Sequence, residues 1–217
     1  MRIVSLISIV ALLFVAWTSP THTTAEDPVA ILKKAQSVFE KLEDFSAKFS
    51  FTLSNPSDPN AKITKDGTLK YSKSKYAVML PDQEFYCNGE KIWAFFPSDE
   101  EVTVYSNDPE EGFDIESMLQ LYKANAKARH DGRVTMNGKT CHNIYLANSD
   151  SDVEFNQARL WVDVKTHLPV KVETVNRNQT RTVYSFTNVK TDQGIPPTAF
   201  EFDTSKHPDV TVYDETE

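Results

Sequence analysis

Reactive side chains are few and far apart in this sequence, and its most regular constellation is apolar. His22, His130, His142, His167 and His207 are scattered along 217 residues, and none has a second His, Cys or carboxylate at a spacing typical of metal ligands. A nucleophile motif, a phosphate-cradling glycine loop and a zincin helix are all missing, and glycine itself is scarce, at 6 in the chain. No catalytic residue, metal site or cofactor is therefore expected, and the chain does not read as an enzyme. DPNAKITKDG opens as a calcium loop does, with Asp58 and Asn60. Ile63 stands where the sharp turn needs Gly, however, and the closing Glu is missing, so the stretch reads as a hairpin loop. Asn178-Gln179-Thr180 matches a glycosylation acceptor but sits in NRNQT, which reads better as a turn. The acidic run Asn148 to Asp152 reads as a solvated loop.

The chemistry offered by FSAKFSFTL, Phe45 to Leu53, is contact with other apolar matter. Phe45, Ala47, Phe49, Phe51 and Leu53 fall on one face of a strand, and Ser46, Lys48, Ser50 and Thr52 on the other. Such a dry face either closes onto a packed core or lines a cavity that something else fills. The alternation alone serves both.

Several elements would position that row. Asp27 and Pro28 suit the N-cap and first position of a helix in which Ile31, Leu32, Ala35, Val38, Phe39 and Leu42 recur at helical spacing. After the Phe strand, Asn88-Gly89 and Asn137-Gly138 are strong hairpin signals, since both turn positions favour positive φ. Strands are predicted near 63–71, 75–80, 83–87, 91–96, 102–105, 129–135, 139–147, 158–164, 170–175 and 180–189. A second helix is predicted in FDIESMLQLYKANA, capped by Asp114, with Ile115, Met118, Leu119 and Tyr122 on one face. The chain thus reads as mainly β, with about eleven antiparallel strands and two helices in one domain. Two short helices cannot cover a flat sheet of that width, so the sheet should curl with the helices at its mouth. A packed two-sheet sandwich fits the pattern equally well.

MRIVSLISIVALLFVAWTS carries one cation, Arg2, then an uncharged apolar run to Trp17 and small polar residues. This is the layout of a secretory signal cut near Ala25, leaving 26–217 as one domain; the run is shorter than the ~20 residues a spanning helix needs. No cysteine stands in the leader, so an N-terminal lipid anchor is not expected. The net charge of −8, without a basic stripe, argues against nucleic acid and against anionic headgroups as partners. Cys87 and Cys141 would lie in a compartment that permits a disulfide, and spacing leaves open whether they form one.

Taken in order, several stretches resemble the LolA family of periplasmic lipoprotein carriers. The helix runs into a Phe-x-Ala-x-Phe strand (Phe45, Ala47, Phe49), followed by Gly67-x-Leu69, the hairpin NGEKIWAFFP (Asn88 to Pro97), Val102-x-Val104 and, near the end, IPPTAFEFD (Ile195 to Asp203). The resemblance implies an unclosed antiparallel β-barrel of about eleven strands with helices as a lid over an apolar cavity. It further implies a monomeric periplasmic protein that takes acylated lipoproteins from an inner-membrane ABC transporter of the Lol type to an outer-membrane acceptor. The alternative is an exported lipid-binding or lipid-sensing module of the same fold with a different cargo. Lining residues would come from the first helix (Leu32, Phe39), the Phe strand (Phe45, Phe49, Phe51, Leu53), the next strands (Leu69, Tyr71, Met79, Trp93) and the second helix (Met118, Leu119). In the family an arginine after the Gly-x-Leu strand tethers the lid; here Lys73 and Ser74 stand in that place. Lys73 is thus either a looser lid latch, lacking the planar fork, or a solvated surface cation.

Overall fold

The structure, a computed structural model, describes residues 26–107, 127–148 and 155–216. The helix α1 (Pro28–Phe39) starts as its sequence dictates: Asp27 accepts a hydrogen bond from the Val29 amide (2.9 Å) and Pro28 takes the first position. Eleven strands follow in the order of the hairpin signals: β1 (Phe45–Asn55), β2 (Asp58–Ser72), β3 (Lys75–Met79), β4 (Glu84–Cys87), β5 (Lys91–Phe96), β6 (Glu101–Ser106), β7 (Lys127–Met136), β8 (Lys139–Ala147), β9 (Phe155–Asp163), β10 (Pro169–Asn176) and β11 (Arg181–Thr191). Two short 3-10 turns then lead to β12 (Thr211–Glu215).

All twelve strands form one sheet in the order β12-β6-β5-β4-β3-β2-β1-β11-β10-β9-β8-β7. β12 and β7 are its two edges, so the sheet is unclosed. It is mixed, because β12 lies parallel to β6 while the other pairs are antiparallel. The predicted mainly β, unclosed arrangement is borne out: eleven strands pair antiparallel, and the sheet gains one further strand, β12, that lies parallel. The predicted second helix lies outside the described residues, and α1 is the one α-helix among them.

Two turns differ in a way their residues explain. At Asn137-Gly138 both residues take positive φ (49° and 74°), as a two-residue hairpin between Met136 and Lys139 requires. At Asn88-Gly89 the turn is shifted by one: Gly89 alone has positive φ (98°), and the Asn88 carboxamide oxygen accepts from the amides of Glu90 and Lys91. The stretch predicted as a hairpin loop at DPNAKITKDG is instead strand, because Asn55 pairs with Asp58 and the turn is confined to Pro56-Ser57.

Cross-strand register assigns every side chain to a face, since directly opposed residues point the same way. One face carries α1. There Ile31 and Leu32 pack on Ile144, Leu146, Leu160 and Val172, and Phe39 and Leu42 pack toward Phe45 and Tyr71. On the opposite face the segment after β11 covers β4–β6: Phe202 lies 4.8 Å from Phe95 and 6.0 Å from Tyr86 between ring centroids, with His207 stacked on it at 4.9 Å. The sheet therefore has two dry surfaces, one partly covered by the helix and one by the C-terminal segment.

Candidate functional site

The helix face is built outward from β1. Phe45 opposes Tyr71 on β2, Ala47 opposes Leu69, and Phe49 lies between Gly67 on β2 and Phe186 on β11. Phe51 opposes Tyr184 and Leu53 opposes Ile63, so all five alternating residues of FSAKFSFTL share this face. Phe45, Ala47 and Phe49 are 9%, 5% and 7% exposed, whereas Phe51 and Leu53 are only half-buried. Rings meet along the row: Phe39 packs edge-on against Phe45 at 5.6 Å, and Phe51 tilts on Tyr184 at 5.2 Å.

Gly67 explains how Phe49 fits. A Cβ added there would stand 2.9 Å from Phe49 Cε1 and from Leu80 Cδ2, and 2.5 Å from the Met79 carbonyl oxygen. The missing side chain is what lets the Phe49 ring and Leu80 close over β2.

The structure brings most of the predicted lining residues together and separates two. Leu32 lies in the cluster under the start of α1, and Phe45, Phe49, Leu69 and Tyr71 lie in the cluster under its end, with Phe39 and Phe51 packed against it. Met79 opposes Thr68, and Trp93 opposes Tyr86 and Val104. Both therefore sit on the opposite face, where Trp93 joins Phe95 and Phe202. A one-residue offset along a strand inverts the face, and no local pattern flags it where both faces are apolar. Met118 and Leu119 lie outside the described residues. Sequence reasoning missed Phe186, Tyr184 and Leu80, which are packed against the same cluster; the alternation of β11 from Tyr184 to Phe186 was the available signal.

Lys73 takes the left-handed conformation (φ 57°) at the tip of the β2–β3 hairpin, and its Nζ lies 3.3 Å from Glu43 Oε2. Both side chains are about three-quarters exposed (73% and 75%), so the pair is weak. Firmer contacts hold the same corner. The Ser72 hydroxyl donates to the Glu43 carbonyl (2.9 Å). Asp44, 4% exposed, accepts from the amides of Gln193 (2.9 Å), Gly194 (2.8 Å) and Ile195 (3.0 Å). Burial works against ionisation of Asp44, but these three amide donors prevail and hold its carboxyl below the usual range.

The fold brings together two histidines that lie far apart in local sequence pattern. His130 and His142, which show no metal-ligand spacing in sequence, meet across the β7–β8 hairpin with Nε2 and Nδ1 3.3 Å apart, and Glu26 Oε2 lies 3.7 Å from His142 Nδ1. Arg133 donates to the other Glu26 oxygen (2.8 Å), and burial pushes the His142 imidazole below its ordinary range despite the nearby carboxylate. Cys87 and Cys141 are both buried free thiols. They belong to clusters on opposite faces of the sheet, so no disulfide joins them.

Among the described residues no helix is long and apolar enough to cross a membrane. Comparison with curated proteins finds no match. Among solved structures, an uncharacterized conserved protein from Thermus thermophilus superposes with a TM-score of 0.50 at 7% identity, over 84% of this chain and 99% of that one. The lipoprotein LppX of Mycobacterium tuberculosis gives 0.48 at 12% identity (77% and 96% covered), and a LolA superfamily protein from Nitrosomonas europaea gives 0.41 at 13% (81% and 98% covered). The profile of the outer membrane lipoprotein carrier protein LolA matches residues 40–203, from the end of α1 through β11 to the segment around Phe202. On that match, spanning the helix-to-strand corner and all eleven antiparallel strands, the chain belongs to the LolA family.

Proposed function

We propose that this protein is an exported carrier that shields the acyl chains of lipoproteins on the helix face of its sheet. In this reading the leader is removed near Ala25 and the mature chain works in the periplasm. It receives cargo from an inner-membrane ABC transporter and passes it to an outer-membrane acceptor. An acyl chain left in water costs ~0.8 kcal/mol per methylene, on the order of ten kcal/mol for a long chain, so transfer between membranes calls for an apolar container.

One observation carries the reading. Beyond the buried Phe45 and Phe49, the helix face continues as Phe51, Leu80, Phe85, Tyr184 and Phe186, aromatic or aliphatic and all only partly buried. Partly exposed aromatics that adjoin one another are unusual on a surface with no partner. They offer dispersion contact and little polar geometry, which suits a cargo that must be held and then released. The acidic net charge of −8 agrees with contact through acyl chains rather than through anionic headgroups.

The test is binding of a palmitoylated peptide by the exported protein, with Phe49→Glu and Lys48→Glu compared. Lys48 is exposed on the other side of β1. Phe49→Glu should abolish binding and Lys48→Glu should leave it unchanged. Normal binding by a folded Phe49→Glu protein would remove the helix face as the lipid site. Tight binding of free phospholipid with none of the peptide would replace the lipoprotein carrier by a lipid-binding module with another cargo.

A further inference from the structure

The start of α1 and the β7–β8 edge of the sheet share a cluster that the carrier reading does not use. Glu26 precedes the helix cap, His130 is on β7 and His142 on β8, and their ligand atoms lie within 4.8 Å of one another. Glu26 also lies ahead of the stretch matched by the family, residues 40–203.

A β-bulge assembles the cluster. Along a regular strand, residues three apart point to opposite faces. In β7 the register shifts between His130 and Arg133, where Gly132 takes φ 89°, so that His130 opposes Ile144 and Arg133 opposes His142. Both side chains are thereby turned to the helix face, while Asp131 bonds to Arg129 and Arg159. His142, 4% exposed, is fixed on β8 two residues from Ile144, so its ring sits beside that of His130 with centroids 5.3 Å apart.

The two imidazoles already stand at the separation a shared metal would give them, and the Glu26 oxygen, 3.7 Å from His142, needs only a small side-chain shift to join them. Two imidazole nitrogens bound to tetrahedral Zn²⁺ at about 2.0–2.1 Å are separated by roughly 3.3–3.4 Å. The observed separation of Nε2 of His130 and Nδ1 of His142 is 3.3 Å. The carboxylate is held ready: Arg133 occupies Oε1 of Glu26 at 2.8 Å, and Oε2 is the oxygen 3.7 Å from His142. Two imidazoles and a carboxylate match the preference of zinc, with a fourth position for water.

We infer that Glu26, His130 and His142 form a Zn²⁺ site that fastens the start of α1 to the β7–β8 edge of the sheet. Three ligands with a guanidinium beside them make a site of moderate affinity, filled or emptied by the metal available. The ion would restrain the end of the helix farthest from the aromatic row, and the inference does not depend on what that row binds.

The experiment titrates the untagged exported protein, stripped with a chelator, with Zn²⁺ by calorimetry and with Co²⁺ by absorbance. Wild type should bind a single Zn²⁺ per chain, show the intense visible bands of four-coordinate Co²⁺, and melt at higher temperature with Zn²⁺ than without. His130→Gln and Glu26→Gln, both only half-buried, should fold and lose about ten-fold or more in affinity, since loss even of outer-shell partners costs that much. His207→Gln, remote on the C-terminal segment, should bind as wild type. No saturable Zn²⁺ binding, or wild-type affinity in His130→Gln, would overturn the site.

Discussion

The two ends of α1 rest on different kinds of surface. Its first turns press Ile31 and Leu32 onto Ile144 and Leu146, which are 0% and 1% exposed, within an almost wholly aliphatic cluster. Its last turn and the following residues bring Phe39 and Leu42 to an aromatic surface that continues into Phe51, Tyr184 and Phe186, still partly open. The first region is core, and its side chains are spent on the fold. The second keeps contact capacity in reserve, which a carrier needs and a structural sandwich does not. One helix is thereby both anchored and placed beside the proposed acyl-chain site.

The largest stability effect should come from breaking the anchored end. Leu146→Ala removes a side chain that is 1% exposed and should cost about 2–5 kcal/mol in urea unfolding. Phe51→Ala, at the open end, should cost clearly less because part of that ring is already in water, yet it should weaken acyl-peptide binding more than Leu146→Ala does. Equal stability losses at the two positions would erase the distinction between the regions.

Asp44 joins the helix-to-strand corner to the 192–195 segment, and its charge sets a pH dependence. Its carboxyl lies below the usual range in the folded state, so the unfolded chain binds the proton first as pH falls. The stabilisation is complete above the unfolded value, about 3.9, and is lost as pH falls through the lower folded value. Asp44→Asn should cost about 1.5–3 kcal/mol at neutral pH, with the gap to wild type closing in acid. A gap independent of pH between neutrality and strong acid would mean that packing, not the charged acceptor, holds the corner.

The smallest effect is expected at Lys73. The exposed Lys73–Glu43 pair should contribute less than about 1 kcal/mol and vanish in high salt. Lys73→Leu should therefore change acyl-peptide binding little, while Ser72→Ala, which removes the hydroxyl bonded to the Glu43 carbonyl, should change it more. A strong rise in binding confined to Lys73→Leu would restore the lysine as the latch.

Much of this fold was legible in local sequence. Asp27-Pro28 marks the start of the helix and Asn137-Gly138 marks a hairpin, because cap and turn chemistry is fixed by a few neighbouring residues. The strict alternation from Phe45 to Leu53 identified the helix-face row. Features that depend on distant pairing were not legible. β12 is short and exposed throughout, and only its parallel partner β6 makes it a strand. Met79 and Trp93 were assigned to the wrong side because strands that are apolar on both faces give no sign of which face is which. The His130–His142 meeting depends on a bulge, and a one-residue shift in register is invisible in a list of histidine positions.

The central claim is that the partly open aromatic end of the helix face is where an acyl chain lies. Photolabelling the exported protein with a peptide whose acyl chain carries a diazirine, followed by peptide mapping, tests it most directly. Labels should fall on Phe51, Leu80, Tyr184 and Phe186 and be displaced by unlabelled acyl peptide. Labels concentrated on Trp93, Met79 or Phe202, on the other face of the same sheet, would contradict it.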